Sequence, residues 1–149
     1  MLEELAVSRD RFALINAPSI TIGDDLVGRL VSDLSLRRTQ LGRSLAKLAA
    51  PPTPEQIVAA AGDAEILQDI DLLLWPEVRV DVLAFLRGRA RNGATLAVWP
   101  GIIDGGRATY SDPGRPDYYT RGLTDCLILT PRGIRYPDEV PFVIERITV

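Results

Sequence analysis

The chain has 149 residues, of which 46% are hydrophobic and 25% are charged, and its formal net charge is -3. This composition predicts one globular domain over residues 1–149 and excludes a disordered chain, and the acidic balance disfavours attraction of the whole molecule to DNA or to an anionic membrane. The sequence has no histidine and a single cysteine, so histidine-dependent catalytic triads, histidine-ligated zinc and an internal disulfide are excluded.

The location of the protein is predicted from three features of the sequence. A single cysteine fits a reducing cytosol. The first residues, Met1 to Leu5, are acidic and lack the basic-then-apolar order of a signal peptide. No run approaches the roughly 18 apolar residues that cross a bilayer. We therefore expect a cytoplasmic protein without a membrane segment.

The first elements predicted are a strand, a loop and a helix. Arg11–Ala17 is a compact apolar run that a proline follows, which indicates a buried strand. After a loop over residues 18–23, a helix is predicted from about Asp24, because acids favour a helix N-terminus. A polar interruption predicts that this helix is short and that a weak strand lies near residues 31–34.

Two further helices are predicted before residue 62. Leucines at helical spacing indicate one that begins at Thr39 and ends before Pro51-Pro52. The second begins at Thr53, where a threonine cap, a proline in the first turn and Gln56 form a capping box, and it ends near Gly62.

The stretch from Glu65 to Gly101 predicts the centre of the fold. Apolar runs at Ala64–Gln68 and Ala94–Trp99 indicate buried strands, and Val78–Arg91 has the periodicity of an amphipathic helix between them. Such alternation predicts a three-layer α/β fold with a mainly parallel sheet of about five strands, covered on both faces.

The last third of the chain predicts a functional loop between further strands. Pro100–Gly122 is polar and rich in glycine and proline, and a loop of that length is often functional. Thr124–Thr130 indicates a buried strand in which Cys126 is an inert thiol. Val140–Val149 indicates an edge strand, because Pro141 cannot donate to a ladder.

A strand–loop–helix start of this kind would bind nucleotide phosphates through a glycine-rich loop with a lysine. Here the loop has one glycine, and the only lysine of the chain, Lys47, lies more than twenty residues away. Asp24 and Asp25 stand where phosphate needs cations, so productive ATP binding is not expected. The alternative is a plain connection to a helix that Asp24 or Asp25 caps. The loop groups that a nucleotide would meet are Asn16, Ser19, Thr21 and Gly23.

The stretch Ile66-Leu-Gln-Asp-Ile-Asp-Leu-Leu73 resembles the Walker B segment of AAA+ ATPases. In that resemblance Gln68 takes the position of the metal-binding acid and Asp69 that of the catalytic acid. Glutamine carries no charge and is a poorer Mg²⁺ ligand. A simpler interpretation has Asp69 and Asp71 capping the following turn. The polar residue expected after the next strand is replaced by Trp99-Pro100, so the sequence predicts a P-loop or AAA+-like core with a degenerate site, with no catalytic residue, metal or cofactor assigned.

The segment from Trp99 to Tyr119, together with Pro76-Glu77 and the helix that follows, resembles BrxF, the small P-loop-like component of type 3 bacteriophage exclusion systems. The resemblance covers about Ile66 to Thr130. It implies a cytosolic antiphage-defence subunit that works beside a large ATPase and a DNA methyltransferase. Members of that family carry a glycine-rich loop with a lysine, and this chain departs from them there.

The candidate partner-binding residues fall in two groups. Tyrosine and arginine, which dominate interface hot spots, alternate in the segment 100–122, and arginines close the helix before it. A protein partner, a plain structured loop and single-stranded nucleic acid stay open for the segment, as does a solvated turn for the helix end. The residues are Arg107, Arg115, Tyr118, Tyr119, Arg87 and Arg91.

Three functions follow as hypotheses. The first is a non-catalytic subunit of a bacterial antiphage defence complex, which associates with other proteins of the system. The second is a divergent nucleotide-binding protein that uses Asp69. The third is a DNA-binding adaptor, which the acidic balance disfavours. A homo-oligomer is compatible with each of them.

Overall fold

The computed structural model describes residues 12–17, 19–48, 50–131 and 142–147. These residues form nine β-strands and four α-helices. The strands are β1 (Phe12–Asn16), β2 (Arg38–Gln40), β3 (Ile66–Gln68), β4 (Thr95–Trp99), β5 (Ile102–Asp104), β6 (Arg107–Tyr110), β7 (Tyr119–Gly122), β8 (Cys126–Pro131) and β9 (Phe142–Ile147). The helices are α1 (Ile20–Leu34), α2 (Leu41–Leu45), α3 (Pro54–Ala61) and α4 (Val82–Ala90).

The main sheet has six strands in the order β2-β3-β4-β1-β8-β9. The first five of these are parallel to their neighbours, and β9 runs antiparallel to β8. The prediction of a mainly parallel sheet in an α/β fold is therefore confirmed. Within the described residues β9 lies at the edge, as the sequence predicted, while residues 140–141 and 148–149 of that prediction lie outside them.

One face of the main sheet is covered by α1. The helix turns an apolar stripe of Leu26, Val27 and Leu30 toward the sheet, where Ala13 and Ile15 of β1 form the floor of the same cluster. A stripe with this 3.6-residue spacing removes its apolar surface from water when it packs on a sheet. Among the described residues, α1 is therefore the helix that forms the layer on this face.

The opposite face is covered by the other helices and by β5–β7. Leu86 of α4 and Ile57 of α3 pack in one cluster with Phe12 and Leu14 of β1. Cys126 is also buried in this cluster, and burial raises the pKa of its thiol to about 12. The predicted burial of Cys126 is therefore confirmed, and a neutral thiol is a poor nucleophile.

The structure corrects the predicted limits of α1. Ser19 is the residue that caps the helix, because its Oγ accepts a hydrogen bond from the Ile22 amide at 3.2 Å. The predicted capping by Asp24 or Asp25 is wrong, since both lie inside the helix. The predicted strand at residues 31–34 is also wrong, because α1 continues to Leu34 and Ser35 ends it in the left-handed conformation. The strand lies a few residues later, as β2.

Local capping signals predicted the other helices with mixed success. The Thr53–Gln56 capping box is present, with bonds of 2.9 and 3.2 Å, and α3 ends before Gly62 as expected. The helix predicted from Thr39 is shorter, because that residue belongs to β2. The helix predicted from Val78 begins at Val82, since Asp81 caps it and two 3-10 turns precede it.

The predicted loop of residues 100–122 is wrong: most of it folds as a three-stranded antiparallel sheet, β5-β6-β7. Gly105 and Gly106 form the first turn with positive φ angles of 57° and 73°, which glycine adopts without strain. Gly101 brings β4 close to this small sheet. A Cβ atom on Gly101 would stand 2.0 Å from the carbonyl oxygen of Thr109.

The contact at Gly101 predicts that Gly101→Ala is destabilising. Backbone cannot yield easily at that distance, so we expect the free energy of unfolding to fall by about 1–3 kcal/mol. In Gly28→Ala, the matched control inside α1, the added Cβ meets no atom within 4 Å. Removal of an interior helix glycine should raise stability by about 1 kcal/mol. Urea denaturation of both variants measures the two changes, and equal effects would contradict the prediction.

Candidate functional site

A cleft of about 440 Å³ opens at the carboxyl ends of β1, β3 and β4. The chain leaves β1 through α1 on one face of the sheet, and it leaves β4 through the small sheet on the other face. Where neighbouring connections part in this way, a crevice forms outside the strand ends. The cleft is lined by Ala17, Ser19, Ile20, Asp24, Gln68, Asp69, Ile70, Asp71, Val98, Trp99, Pro100, Gly101 and Tyr110.

The charge of the cleft is negative. Asp24, Asp69 and Asp71 contribute three carboxylates, and none of the described residues that line the cleft is a lysine or an arginine. The remaining polar groups are the hydroxyls of Ser19 and Tyr110 and the amide of Gln68. Carboxylates accept hydrogen bonds and cannot donate them when ionised, so the cleft offers mainly acceptors.

Gln68 links the cleft wall of β3 to α1. Its Nε2 donates a hydrogen bond of 2.7 Å to Oδ1 of Asp24. The Gln68 side chain is buried, with 4% of the residue exposed, and its Oε1 has no hydrogen-bond partner among the described residues. A buried acceptor without a partner carries a desolvation cost that a donor placed in the cleft would relieve.

Asp69 follows β3 directly and has an unusual backbone. Its φ of 52° and ψ of 45° are left-handed, a conformation that aspartate tolerates better than most residues. The Asp69 carbonyl accepts a hydrogen bond of 3.0 Å from the Gly42 amide, and a Cβ on Gly42 would approach the Cβ of Asp69 to 3.1 Å. The Asp69 carboxylate makes no capping bond to the next turn, so the capping interpretation fails for this residue and leaves the carboxylate exposed.

Tyr110 and Asp71 line the same cleft, and the charge of Asp71 acts on the Tyr110 phenol. Burial raises the pKa of the Tyr110 phenol, and the charge of Asp71 raises it further, followed by that of Asp117. The phenol therefore stays protonated at neutral pH and can donate a hydrogen bond. Tyr110 is not among the residues that the sequence predicts for this site, because only the folding of the small sheet brings it to the cleft.

Only two of the five predicted nucleotide-site residues line the cleft, namely Ser19 and Asp69. Thr21 and Gly23 lie in the first turns of α1, where Gly23 is buried against Ala17. Asn16 ends β1 and pairs in register with Trp99. The structure thus assembles part of the predicted set and adds acids to it, which leaves nucleotide binding a prediction.

Trp99 does not provide a catalytic group at the end of β4. Its indole Nε1 donates a hydrogen bond of 3.0 Å to the Thr109 carbonyl, and its ring packs on Tyr119 with the ring centroids 5.7 Å apart. The Tyr119 hydroxyl donates to Asp81 Oδ1 at 3.1 Å. Burial, followed by the charge of Asp81, raises the pKa of Tyr119. Tyr119 therefore attaches the small sheet to the core.

The other predicted partner-binding residues differ in their surroundings. Arg87 stacks on the ring of Phe12, 5.0 Å from its centroid, and donates to the Thr124 carbonyl, while Arg91 at the end of α4 is exposed. The remaining three lie on the small sheet or on the connection between its last two strands. They are Arg107, which donates to Thr120 Oγ1 at 3.1 Å, Arg115, which lies 3.5 Å from Asp117, and Tyr118, which is exposed.

A larger cleft of about 750 Å³ lies at the amino ends of β3 and β4, away from these acids. Its charged groups hold the fold together: Arg37 pairs with Glu65 at 3.1 Å, and Arg89 Nη2 donates to the carbonyls of Gly62 and Ala64 at 3.0 and 2.9 Å. The Arg37 contact outweighs the effect of burial and lowers the pKa of Glu65. We therefore take the smaller, acidic cleft as the candidate site.

Comparison with family models, with curated proteins and with solved structures found no match to this chain. Among the described residues no group of three acidic or cysteine side chains is placed to hold a metal ion. Nor does the described part of the chain contain a helix with the length and apolar character that crossing a membrane requires.

The Gln68–Asp24 contact predicts the effect of Gln68→Glu. The new carboxylate would be buried against Asp24, so its pKa would be higher in the folded than in the unfolded chain. Stability is then retained at low pH and lost as the pH rises through the folded pKa. We expect a lower free energy of unfolding than wild type near neutral pH and a smaller difference near pH ~4.

Gln40→Glu, at the half-buried end of the edge strand β2, is the matched control and should show a smaller pH-dependent difference. Chemical denaturation of the three proteins across pH makes the measurement. A pH-independent difference for Gln68→Glu would show that no carboxylate pair forms there.

Proposed function

We propose that this chain is a degenerate P-loop or AAA+-like domain that acts as a non-catalytic subunit of a bacterial antiphage defence complex. It works by association with a large ATPase or another protein of that system. The observation that carries the non-catalytic part is the Gln68–Asp24 hydrogen bond inside an acidic cleft. The defence system itself is suggested by the sequence resemblance of Ile66–Thr130.

The electrostatics of the cleft argue against a working ATPase. A triphosphate needs cationic side chains or Mg²⁺ around it. Asp24 and Asp69 place negative charge on both sides of the cleft instead, and each close pair of like charges costs on the order of 1 kcal/mol or more at intermediate dielectric. Gln68, in the position of the metal-binding acid, is neutral and is already bonded to Asp24.

The architecture supports the P-loop-like part of the proposal. An apolar strand, β1, leads directly into α1, and acids follow β3 at the same edge of a mainly parallel sheet. The cleft lies where a doubly wound sheet binds ligands. In this proposal the chain keeps the scaffold of a nucleotide-binding protein, while acids replace the groups that would bind phosphate.

The small sheet provides the surface for association. Ile102 is 68% exposed on β5, and Tyr118 is 39% exposed on the connection that precedes β7. Arg107 and Arg115 are exposed on the same unit. Exposed large apolar and aromatic side chains beside arginines have the composition of an interface, because their burial releases water and arginine forms directed hydrogen bonds.

Association is tested with the double variant Ile102→Ser/Tyr118→Ser, which leaves the structural Tyr119 intact. Products of the neighbouring genes are co-purified with it, and we expect affinity to fall about tenfold or more, since two contact residues are lost. Val58→Ser, which alters an exposed apolar residue on α3, is the control and should bind normally. Undiminished complex formation by the double variant would remove the small sheet from the interface.

A second function, a divergent nucleotide-binding protein, is favoured by one observation: Ser19 and Asp69 line the same cleft. Thermal melting with ATP, in the presence and absence of Mg²⁺, separates the two functions. Our proposal predicts no shift of the melting temperature, because binding to the folded state would stabilise it. A Mg²⁺-dependent shift that Asp69→Ala abolishes would replace our proposal with the second function.

A further inference from the structure

We propose that the acidic cleft binds the guanidinium group of an arginine side chain from a partner protein. This inference rests on the proposed association function and specifies what the cleft contributes to it. It would make the cleft a specific docking pocket for one basic residue, in addition to the apolar contacts of the small sheet. The occupant is defined by charge complementarity, which follows from the residues that line the cleft.

The cleft is complementary to a ligand that only donates hydrogen bonds. Asp24, Asp69 and Asp71 supply carboxylate acceptors from α1, from the end of β3 and from the turn that follows it. Among the described residues of the lining there is no cationic side chain to neutralise them. Arginine carries five N–H donors and no acceptor, and it keeps its charge at physiological pH.

Gln68 gives independent evidence that a donor is missing. The residue is 4% exposed, and its Nε2 is fixed by the bond to Asp24, so the other amide atom, Oε1, is fixed too. That oxygen lacks a partner among the described residues although Gln68 forms part of the cleft wall. An N–H donor bound at this part of the cleft wall would give the buried oxygen a hydrogen-bond partner, which favours binding.

The position of the cation within the cleft follows from α1. The N-terminus of α1, at Ser19, carries partial positive charge and repels a cation. The opposite end, formed by Asp69, Asp71 and Tyr110, lies away from that terminus, and Tyr110 adds an aromatic face. Arg115, whose charge reaches Tyr110, is paired with Asp117 at 3.5 Å. Guanidinium groups stack on aromatic rings and pair with carboxylates at the same time. We therefore place the guanidinium at the Asp69–Asp71–Tyr110 end.

The geometry favours arginine over a metal ion and over lysine. Among the described residues, no three acidic or cysteine side chains are grouped so that they could hold a metal ion. The acceptors lie on separate elements, and the planar guanidinium offers five directed donors to them, whereas an ammonium is a compact charge with three donors. A cleft of about 440 Å³ also has room for a guanidinium and the aliphatic part of its side chain.

The test titrates the full-length protein with a short capped peptide that contains one arginine, and with the same peptide in which citrulline replaces arginine. Citrulline keeps the shape and removes the charge. NMR spectra of ¹⁵N-labelled protein report the indole N–H of Trp99 and the amide of Gln68, both in the cleft wall. We expect both signals to move with the arginine peptide, and binding to the citrulline peptide to be about tenfold weaker or more.

Two variants locate the binding. Asp69→Asn and Asp71→Asn should each weaken the arginine peptide several-fold, and rising salt should weaken it for wild type. Asp33→Asn removes the same charge from an exposed position near the far end of α1 and should leave binding unchanged. Thermal melting of each variant establishes that it is folded.

The outcomes separate this inference from the proposed function. Equal binding of the two peptides, or shifts that are confined to residues outside the cleft, would overturn the arginine pocket while the association function stands. Shifts of the cleft signals by ATP and Mg²⁺ but not by the arginine peptide would overturn both. Self-association of the chain that the arginine peptide competes away would support the pocket and identify a second copy as the partner.

Discussion

The structure depends on the complete burial of β1. All of Phe12, Ala13, Leu14 and Ile15 are 0% exposed, because the strand lies between β4 and β8 and has a packed layer on each face. Its alternating residues supply both hydrophobic clusters, so each layer of the fold is anchored on the same five-residue strand. Burial of apolar surface contributes roughly 25 cal/mol per Å², so the burial of this strand stabilises both layers.

The acidic cleft is a consequence of that arrangement. Chain segments leave β1 and β4 toward opposite faces, which opens a crevice at the carboxyl ends of the strands. In a nucleotide-binding protein, cations would compensate phosphate there. Here a glutamine from β3 bonds to an aspartate from α1, and two more aspartates follow at the end of β3. The cleft therefore presents negative charge, which favours basic groups over phosphate.

Sequence signals predicted what depends on near neighbours along the chain. The capping box of Thr53 was read correctly because both partners lie within one helical turn. The start of α1 was misjudged because Ser19 and Asp24 are both good caps, and packing of the apolar stripe decides between them. The small sheet was missed for a related reason: its turns and polar composition resemble a loop, while its order comes from strand pairing and from Trp99 and Tyr119.

In the candidate site, too, local sequence signals are predictive, whereas contacts between distant residues are not. The position of Asp69 after a buried apolar strand was enough to place it at the cleft. The bond between Gln68 and Asp24 joins residues 44 positions apart, and no local pattern indicates it. The unpartnered oxygen of Gln68 is likewise a property of the packed fold. What a cleft binds depends on such distant pairs, which is why its ligand is harder to predict from the sequence than the architecture.

The Asp81 carboxylate connects the start of α4 to the small sheet. Its carboxylate accepts from two amides at the start of α4 and from the Tyr119 hydroxyl, and it lies 3.8 Å from Arg121. The first turn of α4 and the last strand of the small sheet thus share one carboxylate. Separation of the two segments breaks the Tyr119–Asp81 bond, so we expect them to open together in hydrogen exchange. A protein bound to the small sheet would slow exchange in the helix without touching it.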